Sequence, residues 1–115
     1  MIHNDTIVAL ATPSGPGAIA IIRLSGKDAI KIASLVFNSV LGKKLADQKT
    51  HTVHLGNILD GERIIDEVLA TLFKNPQSYT GENVVEFSCH GSSYIQQEII
   101  QLLLRKGCRM ATAGE

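Results

Sequence analysis

Apolar and polar positions along this chain repeat with two different periods, one typical of strands and one typical of helices. Thr6 to Ala11 and Ala18 to Leu24 are short, aliphatic and rich in β-branched residues, so both predict strands. The second run is almost uninterrupted, which favours a strand covered on both faces. Between them, Thr12 to Gly17 contains two prolines and two glycines, which predict a loop.

A helical period follows the second strand. Ser25-Gly26-Lys27-Asp28 has the spacing of a capping box, and Gly42 is a typical helix end. Between these two signals the apolar positions share one helical face, which predicts an amphipathic helix: Ala29, Ile30, Ala33, Val36, Phe37, Val40 and Leu41.

The middle of the chain returns to the strand pattern. Thr52 to Leu59 and Ile64 to Phe73 predict an antiparallel pair, because Asp60-Gly61 between them is a hairpin signal. Lys74 to Asn83 collects Pro, Ser, Thr, Gly and Asn and predicts an exposed loop. A further strand is expected from Val84 to Cys89.

The last third of the chain predicts a second amphipathic helix. Ser93 is a candidate cap, and Gly107 follows two basic residues that suit the last turn. Cys108 to Thr112 favours a final strand. The apolar stripe of the helix consists of Ile95, Ile99, Leu102 and Leu103. The order β-β-α-β-β-β-α-β predicts one α+β domain over residues 1–115, with a mixed β-sheet and two amphipathic helices.

Composition narrows the class of protein. With 44% hydrophobic and 19% charged residues in 115, a single core is expected, and disulfides are not needed to stabilise it. Cys89 and Cys108 are therefore expected to be reduced and buried. The absence of a signal peptide and of a long apolar run favours a cytoplasmic protein without a membrane span. The net charge is zero, so the domain has no obvious patch for binding RNA phosphates.

The short motifs that would indicate catalysis, nucleotide binding or metal binding are incomplete in this sequence. Gly15-Pro16-Gly17 fits the start of a dinucleotide-binding fingerprint, but a β-branched strand follows where that fingerprint requires a helix. Gly26-Lys27 lacks the rest of a phosphate-binding loop. Cys89 and His90 are adjacent in a strand and should point to opposite faces, which excludes a catalytic pair. His51 and His54 lack metal-ligand spacing, so no zinc site is expected.

Arg23 and Glu86 are more informative, because each is a single charge within an apolar strand. Such charges need a partner. One alternative is that they bind a ligand in a partly enclosed space. The other is that they pair with each other or lie at a wet strand edge. The residue pattern alone leaves both open.

Two long stretches carry a family resemblance. DTIVALATPSGPGAIAIIRLSG, from Asp5 to Gly26, is similar to the opening signature of the MnmE (TrmE) family of tRNA-modification GTPases. IDEVLATLFKNPQSYTGENVVEFSCHG, from Ile65 to Gly91, resembles its second signature. The resemblance implies a fold like the tetrahydrofolate-binding domain of the glycine-cleavage aminomethyltransferase. It also implies a homodimer through this domain, with 5-formyltetrahydrofolate near the interface.

The resemblance assigns roles to residues and partners. Arg23 matches the family's folate-binding arginine, and Glu86 matches its folate-binding glutamate. Full-length members add a helical domain and a potassium-stimulated GTPase domain that uses GTP, Mg²⁺ and K⁺. With the FAD-dependent partner MnmG, they modify the wobble uridine of certain tRNAs. We expect these domains, and a further folate-binding lysine, to lie beyond Glu115, so this fragment alone is not expected to be catalytic.

Three positions depart from the family pattern: Ser92 and Asn83 replace a common glycine and aspartate, and Ala113 replaces a common proline. None removes a residue matched to the folate. Two other functions stay open beside a folate-binding and dimerisation domain. They are a stand-alone aminomethyltransferase-like enzyme and a pure dimer scaffold in which Arg23 and Glu86 only pair with each other.

Overall fold

A computed structural model of the protein, which describes residues 5–75 and 82–114, contains one seven-stranded sheet and two helices. The predicted α+β class with a mixed sheet is confirmed. The strands are β1 (Ile7–Leu10), β2 (Ile19–Ser25), β3 (Phe37–Ser39), β4 (Thr52–Asp60), β5 (Arg63–Phe73), β6 (Val84–His90) and β7 (Arg109–Met110). The helices are α1 (Ala29–Val36) and α2 (Ser93–Arg105), with a short 3₁₀ turn at Leu45–Asp47.

The strands lie in the order β3-β4-β5-β6-β2-β1-β7. All neighbours are antiparallel except β1 and β7, which are parallel, so the sheet is mixed. Local contacts cannot place β2 beside β6, since more than 50 residues of the chain separate the two strands. This long-range pairing brings the two halves of the chain together at the centre of the sheet.

Both helices pack on one face of the sheet and build a single core with it. Alternate residues of each strand point into this core, as expected for strands with one buried face. The core includes Ala20, Ile22, Leu24, Ile32, Ala33, Val68, Ala70, Leu72, Val85, Phe87, Ile99, Leu102 and Leu103. The expectation that β2 is covered on both faces is wrong, because Ile19 on the other face is 64% exposed.

Helix α1 is shorter than predicted. It ends at Val36, and Phe37–Ser39 forms a strand that pairs with β4 instead of continuing to Gly42. Gly56 permits this pairing, because a Cβ atom there would lie 2.5 Å from the Phe37 ring. The predicted capping box is also wrong: Asp28 is the N-cap and its side chain makes no capping hydrogen bond.

The predicted hairpin is confirmed, with Gly61 in the left-handed conformation at φ 62°. The register shifts between Ile58 and Leu59, which pair with Asp66 and Ile64, so Ile65 is an extra residue in β5. Such a bulge changes the direction of the strand and its side chains.

The predicted second helix is confirmed, but its N-cap differs from the predicted one. Its cap is Ser92 and not Ser93, since Ser92 Oγ accepts a hydrogen bond from the Ile95 N–H at 3.1 Å. The predicted final strand is present as β7. The predicted loop from Lys74 to Asn83 lies largely outside the described residues.

Candidate functional site

The sheet face opposite the helices is referred to here as the open face. Its side chains come from alternate positions of the four central strands, and the register arranges them in rows across the sheet. One row is charged and polar, the next is largely apolar, and a third is polar again. The first two rows are Val53, Thr71, Glu86 and Arg23, then Leu55, Leu69, Ser88 and Ile21; beyond them Asn57 pairs with Glu67, and His90 pairs with Ile19.

Arg23 and Glu86, the two charged residues singled out by the sequence, lie directly opposite each other in β2 and β6. Arg23 Nε donates to Glu86 Oε2 at 2.7 Å, and Arg23 Nη2 lies 2.6 Å from the same oxygen. The structure therefore brings the two candidates together as an ion pair. Both strands are internal to the sheet, so a strand edge does not explain their exposure.

This ion pair is accessible to a ligand. The Arg23 side chain is 47% exposed and that of Glu86 is 20% exposed, so neither charge is deeply buried. Both contacts use Glu86 Oε2, which leaves Oε1 and part of the guanidinium edge facing the open face. A carboxylate with a free oxygen accepts N–H donors, and the guanidinium binds carbonyl or carboxylate oxygens. The pairing therefore does not prevent these residues from binding a ligand.

Asp66 and His90 form a second polar pair that the sequence did not single out. Asp66 Oδ2 accepts a hydrogen bond from the His90 backbone N–H at 2.8 Å, and Asp66 Oδ1 lies 2.7 Å from His90 Nδ1. The Asp66 side chain is 8% exposed, whereas that of His90 is 70% exposed. The bulge at Ile65 determines the position of Asp66, and a bulge leaves no clear signal in the sequence.

His90 also lines a shallow cleft of about 160 Å³ on the open face. The neighbours of His90 in this cleft include Ile19, Leu55, Leu69 and Ser88. A larger cavity of about 580 Å³ lies at the β3 and β4 side of the molecule, and neither Arg23 nor Glu86 lines it. We assign the candidate site to the open face, because that face contains the matched charges.

Cys89 and His90 point to opposite faces, as the sequence predicted. Cys89 is buried in the core and His90 is exposed. Burial, and to a smaller extent the negative charge of Asp66, raise the pKa of the Cys89 thiol to about 11. Burial likewise raises the pKa of Cys108 to about 11. Both cysteines are free and buried, which confirms the expectation of two reduced core thiols.

The glycine-rich loop before β2 packs against the residues after β6. Gly17 N donates to Gly91 O at 3.0 Å, and Gly91 N donates to Ala18 O at 3.2 Å. Gln96, a buried polar residue of α2, donates from Nε2 to Gly15 O and Gly91 O. A strand follows Gly17, so the helix that a dinucleotide-binding loop requires is not formed there. We name this contact between Gly15–Gly17 and Gly91 the glycine seam.

Two further histidines lie in the part of the chain that the structure describes. His51 has φ 62° and packs edge-on against Phe73. Burial, followed by the charge of Lys43, lowers the pKa of His54 below its usual value of 6.5. Over residues 5–75 and 82–114, no group of three or more His, Cys, Asp or Glu side chains is arranged to hold a metal ion. Neither helix has the length and apolarity needed to cross a membrane.

Comparison with known proteins identifies relatives over the whole chain. The family model described as "GTP-binding protein TrmE N-terminus" matches residues 6–115. The tRNA modification GTPase MnmE of Flavobacterium psychrophilum is 69% identical over 115 residues, which are 100% of this chain and 25% of that protein. The protein of the same name from Christiangramia forsetii is 70% identical over 112 residues, or 97% of this chain and 24% of that protein.

A relative of lower identity also matches nearly the whole chain. The tRNA modification GTPase MnmE of Lactococcus lactis subsp. cremoris is 50% identical over 111 residues, which are 96% of this chain and 24% of that protein. The chain therefore spans about a quarter of the length of the curated relatives it matches.

Proposed function

The chain belongs to the family of TrmE N-termini, and on this premise we propose that it is the folate-binding and dimer-forming domain of a tRNA-modification GTPase. Its ligand in this proposal is 5-formyltetrahydrofolate, a one-carbon carrier. The parent protein, in the same proposal, binds GTP, Mg²⁺ and K⁺ through a separate domain. It acts in the cytoplasm with MnmG on the wobble uridine of tRNA.

The single observation that supports folate binding most strongly is the accessible Arg23–Glu86 pair on the open face. A pterin ring presents an amino group beside a ring N–H, and a carboxylate can accept both donors. With Oε2 held by Arg23, Glu86 Oε1 can accept one of these donors, while the Arg23 guanidinium suits the oxygen atoms of the folate. The adjacent row of Leu69 and Ile21 offers an apolar surface for the aromatic part of the ligand.

The test is a titration of 5-formyltetrahydrofolate into wild-type protein and into the variants Arg23→Ala and Glu86→Gln. Each variant loses a charge-assisted hydrogen bond, so we expect the dissociation constant to rise about ten- to hundredfold. The titration is run with residues 1–115 and with a chain extended to include the expected downstream lysine. If wild-type protein shows no saturable binding in either form, folate binding is excluded.

A matched control comes from Arg63 and Glu98, whose Nη2 and Oε1 atoms lie 2.6 Å apart. Their side chains are 50% and 31% exposed, similar to the Arg23–Glu86 pair, but Glu98 lies on helix α2 behind the sheet. We expect Arg63→Ala and Glu98→Gln to leave folate affinity unchanged. Because both pairs are partly exposed and screened by water, each substitution should have little effect on the free energy of unfolding.

The open-face variants and an assay of one-carbon transfer also distinguish folate binding from the two competing functions. A pure dimer scaffold predicts that neither open-face variant changes folate affinity in folded protein. A stand-alone aminomethyltransferase-like enzyme predicts one-carbon transfer from the folate to glycine or ammonia by this chain alone. The folate-binding domain and the dimer scaffold both predict no such transfer by this chain alone.

A further inference from the structure

We propose that the cavity of about 580 Å³ beside β4 binds the glutamate tail of the folate, with Lys43 and Lys49 contacting its carboxylates. This inference rests on the proposed function, because its ligand is the folate that Arg23 and Glu86 are proposed to bind. It adds a second subsite for the opposite, anionic end of the same molecule.

The cavity opens onto the same sheet face as the ion pair. Two of its lining side chains, Val53 and Leu55, belong to the open face. Val53 is in the row that also contains Glu86 and Arg23. At about 4.8 Å between neighbouring strands, Val53 lies roughly 10 Å from Glu86 and roughly 14 Å from Arg23. A ligand that begins at the ion pair and follows this row therefore reaches the cavity.

The charge of the cavity suits an anionic ligand. Among the described residues that line it, the ionised groups are the ammonium groups of Lys43 and Lys49 and the carboxylate of Asp47, so the lining is net positive. His54 adds little charge near pH 7.5, because burial, followed by the charge of Lys43, lowers its pKa below 6.5. The cleft of about 160 Å³ has Glu67, and no lysine or arginine, among the described residues of its lining. Carboxylates are therefore favoured in the cavity and disfavoured in that cleft.

The segment that contains both lysines is fixed to the rest of the fold. Leu45 anchors it in the core, where its side chain is buried. Thr52 Oγ1 donates to the Lys49 carbonyl oxygen at 2.6 Å, and Lys74 Nζ donates to the Ala46 carbonyl oxygen at 3.0 Å. Binding of an anion therefore need not order this backbone, which lowers the entropic cost of the contact.

Folate has its polar and charged groups in the matching order. Its pterin ring is followed by a benzoyl ring and then by glutamate, and each further γ-linked glutamate adds one carboxylate. With the pterin at the ion pair, the benzoyl ring lies over Thr71 and Leu69 of β5, and the carboxylates reach Lys43 and Lys49. Both lysines are exposed, so each contact is modest in strength and screened by salt.

The first experiment compares the affinities for 5-formyltetrahydrofolate and for its triglutamate form, using the extended chain. Wild-type protein should bind the triglutamate about three- to tenfold more tightly, because the added carboxylates contact the ammonium groups. Lys43→Gln combined with Lys49→Gln should remove this preference. Lys31→Gln combined with Lys106→Gln is the matched control, since it removes the same charge from exposed positions on α1 and directly after α2. The control should keep the preference.

The second experiment repeats both titrations at about 0.1 M and about 1 M salt, where the Debye length falls from about 10 Å to about 3 Å. The preference of wild-type protein for the triglutamate should shrink at high salt. Glu86→Gln, which alters the pterin contact, should weaken both ligands equally and keep the preference.

Three results separate the possibilities. Equal affinity of wild-type protein for the two ligands overturns this inference, and so does a preference that survives in the Lys43 and Lys49 double variant. In either case, weaker binding by Glu86→Gln leaves the proposed function standing. Absence of folate binding in wild-type protein overturns both.

Discussion

Gly91 is the position at which two distant segments of the chain come into backbone contact. A Cβ atom at Gly91 would lie 2.1 Å from the Gly17 carbonyl oxygen and 2.5 Å from its carbonyl carbon. Both atoms belong to the backbone and cannot rotate away. The glycine seam therefore depends on the absence of a side chain at this residue.

We expect Gly91→Ala to lower the free energy of unfolding by about 3 kcal/mol, because the seam must open to admit a methyl group. Gly17→Ala is the matched control. A Cβ atom there would lie 3.9 Å from Ile19 O, which is an ordinary van der Waals contact. Urea unfolding followed by circular dichroism measures both. Equal stability of the two variants would contradict the seam's dependence on Gly91.

The two cysteines give a second prediction at this scale. A thiol whose pKa rises from 9.0 to about 11 has a thiolate fraction about a hundredfold lower at a given pH. Cys89 and Cys108 are also buried, so both should react very slowly with a thiol reagent at pH 7.5. Denaturant should restore the rate of an ordinary cysteine. Rapid labelling of native protein would show that one thiol is accessible.

Helix α1 and strand β3 show where element prediction succeeds and where it fails. The sequence has a helical apolar period from Ala29 to Leu41, but the residues after Val36 leave the helix and pair with β4 as a strand. The local residue pattern carries no information about where that distant strand lies. Similarly, the sequence marks Arg23 and Glu86 as unusual charges, while their register depends on the long-range pairing of β2 with β6. Asp66 was missed because its burial follows from a bulge.

Helix α2 has a side-chain cap that can be tested directly. Ser92 Oγ accepts the Ile95 N–H, which otherwise has no partner within the helix. Ser92→Ala should therefore lower the free energy of unfolding by about 1 kcal/mol. Ser93→Ala, at the exposed first residue of the helix, is the control and should change it by less than about 0.5 kcal/mol. The reverse order of the two effects in thermal melts would place the cap at Ser93.

At the scale of the whole molecule, the open face has more exposed apolar side chains than a covered sheet would have. Ile19, Val53, Leu55 and Leu69 are 42–64% exposed on this one face. Grouped apolar side chains on a protein surface are typical of interaction sites. The helices cover the opposite face, so in the proposed dimer this is the face, close to Arg23 and Glu86, that a second copy of the chain contacts.

We expect the protein to be a dimer in light scattering at tens of micromolar. Leu69→Lys should shift the mass towards the monomer, because it places a charge within the apolar row. Leu35→Lys is the control, since Leu35 is 62% exposed on helix α1, away from the open face. A monomeric wild-type protein would contradict dimer formation through this domain.

The chain should also show no saturable binding of a fluorescent GTP analogue. The glycine-rich loop before β2 leads into a strand, and the lysine of a phosphate-binding loop does not follow it. Titration with the analogue in the presence of Mg²⁺ measures this. Saturable binding at micromolar concentration would place a nucleotide site within these 115 residues.

The two ends of the sheet limit how copies of the protein can assemble. Strand β3 at one edge has three residues and strand β7 at the other has two. Edges this short offer an incoming chain few N–H and C=O groups, whereas long edges serve as templates for fibrils. Association through a face on a twofold axis is complete with two copies, but edge pairing has no natural end. In the described residues, the short edge strands thus favour assembly through the face of the sheet over pairing through its edges.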